Sequence, residues 1–281
     1  MTRYLWSRLC AVVLIGILGA WWRRLPLYTA NVHPFNTRMT LRFRWSKNLY
    51  PMTDRMNQKA TRISLVRHGH VNNPDDIFYG RLPGFKLDSN GRLEAVRTAE
   101  ALTNKKIDGV YSSPMLRARQ TANEILKFHP RLKSKISSLI TEVFSPFQGQ
   151  PNKILALCSG DVYAGIDPMY EQPEDVIRRT QRFIRRIRKR HFGRHLAAVT
   201  HGDVILFAIF QAKKITVTAS NKLNLDKLGI VKGYPATGSI TTLTYQTNDM
   251  DEIPEVSYFD PATASCSIKK KFSPDETPPR K

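Results

Sequence analysis

From Arg62 onward the chain alternates short apolar runs with longer stretches of helical spacing. Ile63-Ser64-Leu65-Val66, Ile107 to Tyr111, Ile136 to Ile140 and Leu196 to Val199 have the length and composition of buried strands. Between them, Ser89 is placed to cap a helix that runs through Leu93, Val96 and Ala99 to about Asn104. A second helix is expected over Arg117 to Phe128. Pro173 opens a third, whose stripe is Val176, Ile177, Thr180, Phe183, Ile184 and Ile187. Its other face is a run of arginines, read as the solvated side of an amphipathic helix. A further helix follows Val199 as far as Phe210, and Ser239 to Tyr245 and Val256 to Phe259 finish as strands. Strands alternating with helices predict an α/β fold, a three-layer α/β/α sandwich around a mainly parallel, mixed sheet.

The pattern is different upstream. Leu9 to Trp22 carries no charge, with Arg8 before it and Arg23 and Arg24 after it. Fourteen apolar residues fall short of the roughly 20 that span a bilayer. No small-residue cleavage site follows, so the segment does not read as a removable signal peptide. The Trp21-Trp22-Arg23-Arg24 ending resembles an interfacial stop, and the positive charge beyond it would leave the rest of the chain in the cytoplasm, tethered by residues 4–24. The competing reading starts the native protein at Met52 or Met56 and makes the upstream part a non-native extension. The organisation expected is therefore a hydrophobic segment and basic linker over 1–58, a catalytic domain over 59–260, and a disordered tail over 261–281.

Charge sharpens this picture only locally. Lys and Arg number 44 against 23 Asp and Glu, a net of +21. The residues before position 56 contribute +8 and the stretch Glu174 to Arg190 contributes +6. Such blocks suit nucleic acid or anionic lipid, and they also suit an anionic substrate. Three cysteines, Cys10, Cys158 and Cys266, are too few and too far apart for a disulfide framework or a zinc site.

The chemistry lies in three motifs, each just after an expected strand: Arg67-His68-Gly69, Ser113-Pro114 through Arg117 to Thr121, and Thr200-His201-Gly202-Asp203. Parallel strands end on one edge, where ligands bind, so two histidines and two arginines would converge there. Guanidinium groups fork onto phosphate oxygens, and a neutral imidazole can attack phosphorus. Each motif alone is a commonplace turn; their order and placement carry the signal.

These residues resemble the histidine phosphatase superfamily, which includes cofactor-dependent phosphoglycerate mutase, over about Arg62 to Tyr245. Leu65-Val66-Arg67-His68-Gly69 looks like the family's signature. The resemblance implies that His68 is phosphorylated and that Arg67, Arg117 and His201 bind the phosphoryl group. Thr141-Glu142 followed by Gln148-Gly149 is similar to the segment that supplies the acid/base carboxylate, which gives that role to Glu142. Asn73 falls one residue short of an asparagine common after the signature, and is carried over as a phosphate ligand; His70 stands where many relatives have Glu.

The mechanism implied is two-step. His68 displaces the leaving oxygen, Arg67, Arg117 and His201 stabilise the transferring phosphoryl group, and protonated Glu142 donates to the departing alkoxide before activating water. Neither metal nor cofactor is expected, because guanidinium and imidazolium groups supply the positive charge. The expected activity is metal-independent phosphomonoester hydrolysis of a small phosphorylated substrate. Phosphoglycerate mutase-type transfer is the enzymatic alternative, and a non-catalytic basic module that binds nucleic acid or membrane through Val176–Arg190 is the alternative of another class. Aromatics suited to base stacking are nearly absent from that helix, and this argues against nucleic acid.

Overall fold

The computed structural model describes residues 59–157, 161–163, 165–218, 221–222, 224–230 and 233–263. The hydrophobic segment and linker expected before position 59, and all but the first three residues of the expected tail, lie outside them. Among the described residues, no helix is long and apolar enough to cross a membrane.

Strand β1 (Thr61–Arg67) is buried on both faces over Ile63–Val66, as a strand covered by helices on both sides must be. It pairs in parallel with β4 (His195–Thr200) on one side and antiparallel with β5 (Ile240–Tyr245) on the other. Strand β2 (Gly109–Ser112) extends the parallel part beyond β4, and β3 (Ser134–Ile136) follows it; β6 (Glu255–Phe259) lies antiparallel on β5. The order is β3-β2-β4-β1-β5-β6, a mixed six-stranded sheet in which β5 alone runs against the others.

Alternation along the strands sends side chains into two cores. Ile63, Leu65, Leu196, Ala198 and Leu243 pack on one face, with α4 (Pro173–Arg190) and α5 (Gly202–Ala212). Val66, Val110, Ala197, Val199 and Ile240 pack on the other, with α1 (Ser89–Thr103) and α2 (Leu116–Phe128). This is the three-layer sandwich expected from the sequence. The matched C-termini are the part that serves function: Arg67 pairs with Thr200 and Ser112 with Val199. Backbone bonds continue past the ladder, from His68 N–H to the Thr200 carbonyl at 3.1 Å and from Ser113 N–H to the Val199 carbonyl at 2.9 Å. The three motifs thus leave the sheet side by side.

Several local expectations shift. The α1 cap is Asp88, whose carboxylate accepts the Gly91 N–H at 2.7 Å, so Ser89 is the first helical residue instead. The strand expected over Ile136–Ile140 ends at Ile136, and Ser138–Ile140 forms a 3-10 turn that re-aims the chain toward the sheet edge. A short helix α3 (Asn152–Leu157) falls in a stretch that carried no helical reading. Helix α4 begins as expected, with Pro173 in its first turn and a Gln172/Asp175 capping box. Its arginines are not all solvated. Arg188 is 2% exposed, stacked 3.8 Å over the Tyr245 ring and paired with Glu252, and Arg179 turns inward to Glu171.

Gly69 and Gly91 set how closely α1 approaches the His68 turn. A Cβ on Gly91 would stand 1.9 Å from the His70 carbonyl oxygen, and one on Gly69 would stand 2.3 Å from that of Gly91. Both obstacles are backbone, which cannot rotate aside. Gly91→Ala is expected to lower unfolding free energy by roughly 1–3 kcal/mol, the usual cost of overpacking. Urea denaturation against the wild type measures it, and an unchanged midpoint would show that the turn is free to move.

Candidate active site

His68 closes β1 and is 1% exposed. Its Nδ1 lies 2.8 Å from the Gly69 carbonyl oxygen, an acceptor only, so Nδ1 carries the proton and Nε2 keeps its lone pair. Nε2 accepts from Arg117 Nε at 3.2 Å. Burial pushes the His68 pKa well down, and the positive field of Arg117, His201 and Arg67 pushes it further; the bond to Gly69 opposes this only partly. The ring is therefore neutral at physiological pH.

Arg117 is fully buried in the first turn of α2 and reaches across the site. Its Nη2 donates to the Gly80 carbonyl at 2.8 Å and to Glu142 Oε2 at 3.3 Å, and lies 3.4 Å from His201 Nδ1. The guanidinium also covers the Tyr79 ring at 4.7 Å. Thr121, one turn along α2, accepts the Gly69 N–H at 3.2 Å and donates to the Arg117 carbonyl, which fixes the helix and the His68 turn together. Arg67 enters from β1, donates from Nη1 to the Pro235 carbonyl at 2.6 Å, and lies 5.1 Å over the Tyr234 ring. Arg67 Nε and Arg117 Nη1 are buried donors with no hydrogen-bond partner among the described residues. Unpaired buried donors are rare and call for an explanation, and here both belong to cations whose field acts on His68.

His201 and Glu142 complete the ring. The Ser113 hydroxyl donates to His201 Nε2 at 2.7 Å, and His201 Nδ1 faces Glu142 Oε2 at 3.1 Å. The two histidine rings sit edge to face, 5.2 Å between centroids. Burial brings the His201 pKa down to about 4 despite the pull of Glu142. Burial alone would raise the Glu142 pKa, but His201, Arg117 and the Val143 N–H hold it well below the ordinary carboxylate range. The open site thus contains a neutral His201 and an ionised Glu142. The imidazolium and the protonated Glu142 expected from sequence are not its resting forms, because burial penalises the first, while His201, Arg117 and the Val143 N–H favour the ionised form of the second.

The backbone at Glu142 is clamped. Arg81 Nε and Arg179 Nη2 both donate to its carbonyl, and both guanidinium groups pair with Glu171, which in turn accepts the Phe144 N–H. Asn73 does not join the ring. Its amide donates to the Ile77 carbonyl at 2.9 Å and accepts the Ile77 N–H, so it closes its own loop and does not line the cleft. His70 is exposed and paired with Asp88, outside the site.

The cleft above these groups encloses about 390 Å³ and reaches from Arg67, His68 and Glu142 out to Asp161 and Lys222. Sequence reading missed its Asp203 cluster. Tyr163 and Tyr234 hydroxyls each donate to Asp203 at 2.8 Å, and burial beside that carboxylate keeps both phenols protonated. Asp203 directly follows His201-Gly202 and could have been found from that adjacency; the tyrosines and the Arg81–Glu171–Arg179 clamp have no local signal. Gly202 leaves room for Tyr234, whose hydroxyl oxygen would lie 2.2 Å from a Cβ there. His68, Glu142 and His201 also have the separation of a metal-ligand trio, with atoms within 4.8 Å. The Arg117 guanidinium lies against all three, so a second cation would be opposed by the one in place.

The family model for histidine phosphatase superfamily (branch 1) matches residues 63–247. An uncharacterised Mycobacterium tuberculosis protein, Rv0525, is 46% identical over 71 residues, which are 25% of this chain and 35% of that one; the chain thus spans about a third of that relative's length. The fold is similar to a mycobacterial glucosyl-3-phosphoglycerate phosphatase, with a TM-score of 0.60 at 22% identity over 72% of this chain and 99% of the other. It is also similar to a putative alpha-ribazole-5'-P phosphatase of Escherichia coli, with a TM-score of 0.57 at 20% identity over 72% and 97%.

The depressed His201 pKa fixes a sign for stability. Unfolding returns the ring to its ordinary value, so the unfolded chain takes up a proton first as pH falls below that value. Stability is then lost down to about pH 4, where the folded ring titrates as well. Between pH 7 and pH 5, His201 alone is expected to remove roughly 2 kcal/mol. Denaturant midpoints at the two pH values test this; a His201→Gln variant should show a flatter dependence.

Proposed function

The chain belongs to the histidine phosphatase superfamily, branch 1, and on that premise we propose that it hydrolyses a phosphate monoester through a phosphohistidine on His68. The observation that carries the reading is the unprotonated Nε2 of a locked imidazole, bonded by the buried Arg117 guanidinium and lining one cleft with Arg67, each arginine keeping a buried unpaired N–H donor among the described residues. Two positive charges and spare donors match the tetrahedral oxygens of a phosphoryl group. The catalytic unit is the stretch 59–260.

In the first step, Nε2 attacks phosphorus in line with the ester oxygen, the P–N bond forms and the P–O bond to the leaving group breaks. Arg67 and Arg117 bind the equatorial oxygens as charge redistributes, and His201, once the bound phosphoryl group draws its Nδ1–H away from Glu142, adds a third donor. The developing charge on the His68 ring is shared through Nδ1–H with the Gly69 carbonyl. Glu142 supplies the proton to the leaving alkoxide. It can do so because a bound phosphate dianion competes for Arg117 and raises the carboxyl pKa from its low resting value. In the second step the Glu142 carboxylate takes a proton from water, the hydroxyl oxygen bonds to phosphorus, and the P–N bond breaks to restore neutral His68. The clamp on the Glu142 backbone keeps the carboxylate aimed through both steps. Positive charge comes from guanidinium groups, so turnover is expected without a metal.

The test is phosphate release from an aryl phosphate with EDTA present. His68→Ala is expected to lose at least about 10⁴-fold in kcat, in line with removal of a covalent nucleophile. Acid quenching of the wild type should trap an acid-labile phosphoenzyme that the variant lacks. Glu142→Gln should lose about 10²–10³-fold, with the larger deficit on substrates whose leaving group needs a proton. Activity that requires a divalent cation, or transfer between phosphoglycerates with little free phosphate, would overturn the reading.

A further inference from the structure

The outer half of the cleft has its own charge balance. Its apolar walls are Ile77, Phe78, Leu155 and Val162, and its charged groups are Asp161, Asp203 and Lys222. Lys222 is the one cation lining that half among the described residues, and its charge is already engaged. Its Nζ lies 3.5 Å from Asp203 and 3.9 Å from Asp161, over the Tyr163 ring at 4.5 Å. The ammonium is nearly buried, as are both carboxylates, so solvent screens them little. Asp203 is further saturated by the two phenols, and Asp161 accepts the Tyr163 N–H at 3.1 Å. Two carboxylates against one ammonium leave this half one unit negative, while the phosphoryl end, with Arg67 and Arg117 against Glu142, is one unit positive.

A leaving group with a carboxylate or second phosphate would have to shed its hydration against that negative excess, with no free cation among the described residues lining that half to receive it. A hydroxyl-bearing group meets the opposite situation. It accepts from Lys222 and donates to Asp161, while its carbon faces lie on the apolar wall. About 390 Å³ is within the range of small-molecule sites.

We propose that the substrate is a monophosphate whose leaving group is uncharged and hydroxyl-bearing, a sugar or polyol, and that Asp161 and Lys222 are the specificity-determining pair that excludes a second anionic group. This rests on the phosphatase reading above.

Matched substrates test it on the full chain. Glycerol 3-phosphate and 3-phosphoglycerate differ by a hydroxymethyl group against a carboxylate, as do glucitol 6-phosphate and 6-phosphogluconate. Wild-type kcat/KM is expected to favour the uncharged member of each pair by about tenfold or more, short of the roughly 10³-fold that one unit charge 4 Å away would give at an effective dielectric near 20. Asp161→Asn should move the phosphoacid-to-polyol ratio up by about tenfold, and Lys222→Met should move it down. Opposite movements in two variants of one pocket are not produced by misfolding, which lowers both substrates together. An aryl phosphate run alongside separates the two readings. If it is not hydrolysed, the phosphatase reading fails and this inference with it. If it is hydrolysed but the phosphoacids are preferred, or the variants leave the ratio unchanged, the specificity assignment alone is wrong.

Discussion

A guanidinium group with no exposed surface is the constraint around which this site is built. Arg117 cannot shed its charge, and a buried cation is costly unless anions and acceptors surround it. The structure supplies Glu142, the Gly80 carbonyl, the face of Tyr79 and the His68 lone pair. Each of those arrangements has a further effect. Glu142 stays ionised, His68 stays neutral, and the loops carrying Gly80 and Glu142 are drawn to α2. The same charge that organises the empty site is what a phosphate dianion would meet.

That organisation depends on register. Val66, Ser112 and Val199 stand level because β1, β2 and β4 pair in parallel with matched C-termini, and the residues that follow then share one edge. Slipping any of these strands by one residue would turn its side chains to the opposite face and empty both cores. Alternating burial, with Ile63 and Leu65 on one side and Val66 on the other, is what makes such a slip expensive. Packing energy and site geometry are therefore fixed by the same side chains.

Much of this was legible in the chain, for identifiable reasons. The strands of the parallel core are continuous apolar runs, so β1 and β4 could be read directly, and the motifs that follow them located His68, Arg67, Arg117 and His201 at one edge. Glu142 was reachable only by resemblance, since it hangs from a 3-10 turn where a strand had been expected. Asn73 stands apart from the ring because a side-chain amide that can satisfy its own loop does so, whatever its distance in sequence from the signature. The inward arginines of α4 were hidden for another reason. Helical periodicity separates apolar from charged positions, and cannot tell a solvated arginine from one that meets Tyr245 or Glu171 across the fold. Long-range partners of that kind, together with Tyr163 and Tyr234 around Asp203, belong to tertiary structure alone.

The bond from His68 Nδ1 to the neighbouring Gly69 carbonyl has a stereochemical consequence. An acceptor one residue away, held by the turn itself, makes the two ring nitrogens permanently inequivalent. Any electrophile entering the cleft meets Nε2, so a phosphoryl adduct on this ring is the tele isomer and never the pros isomer. In the proposed mechanism the product of the first step would thus be decided by the peptide backbone of Gly69, with no side chain needed to choose between the nitrogens.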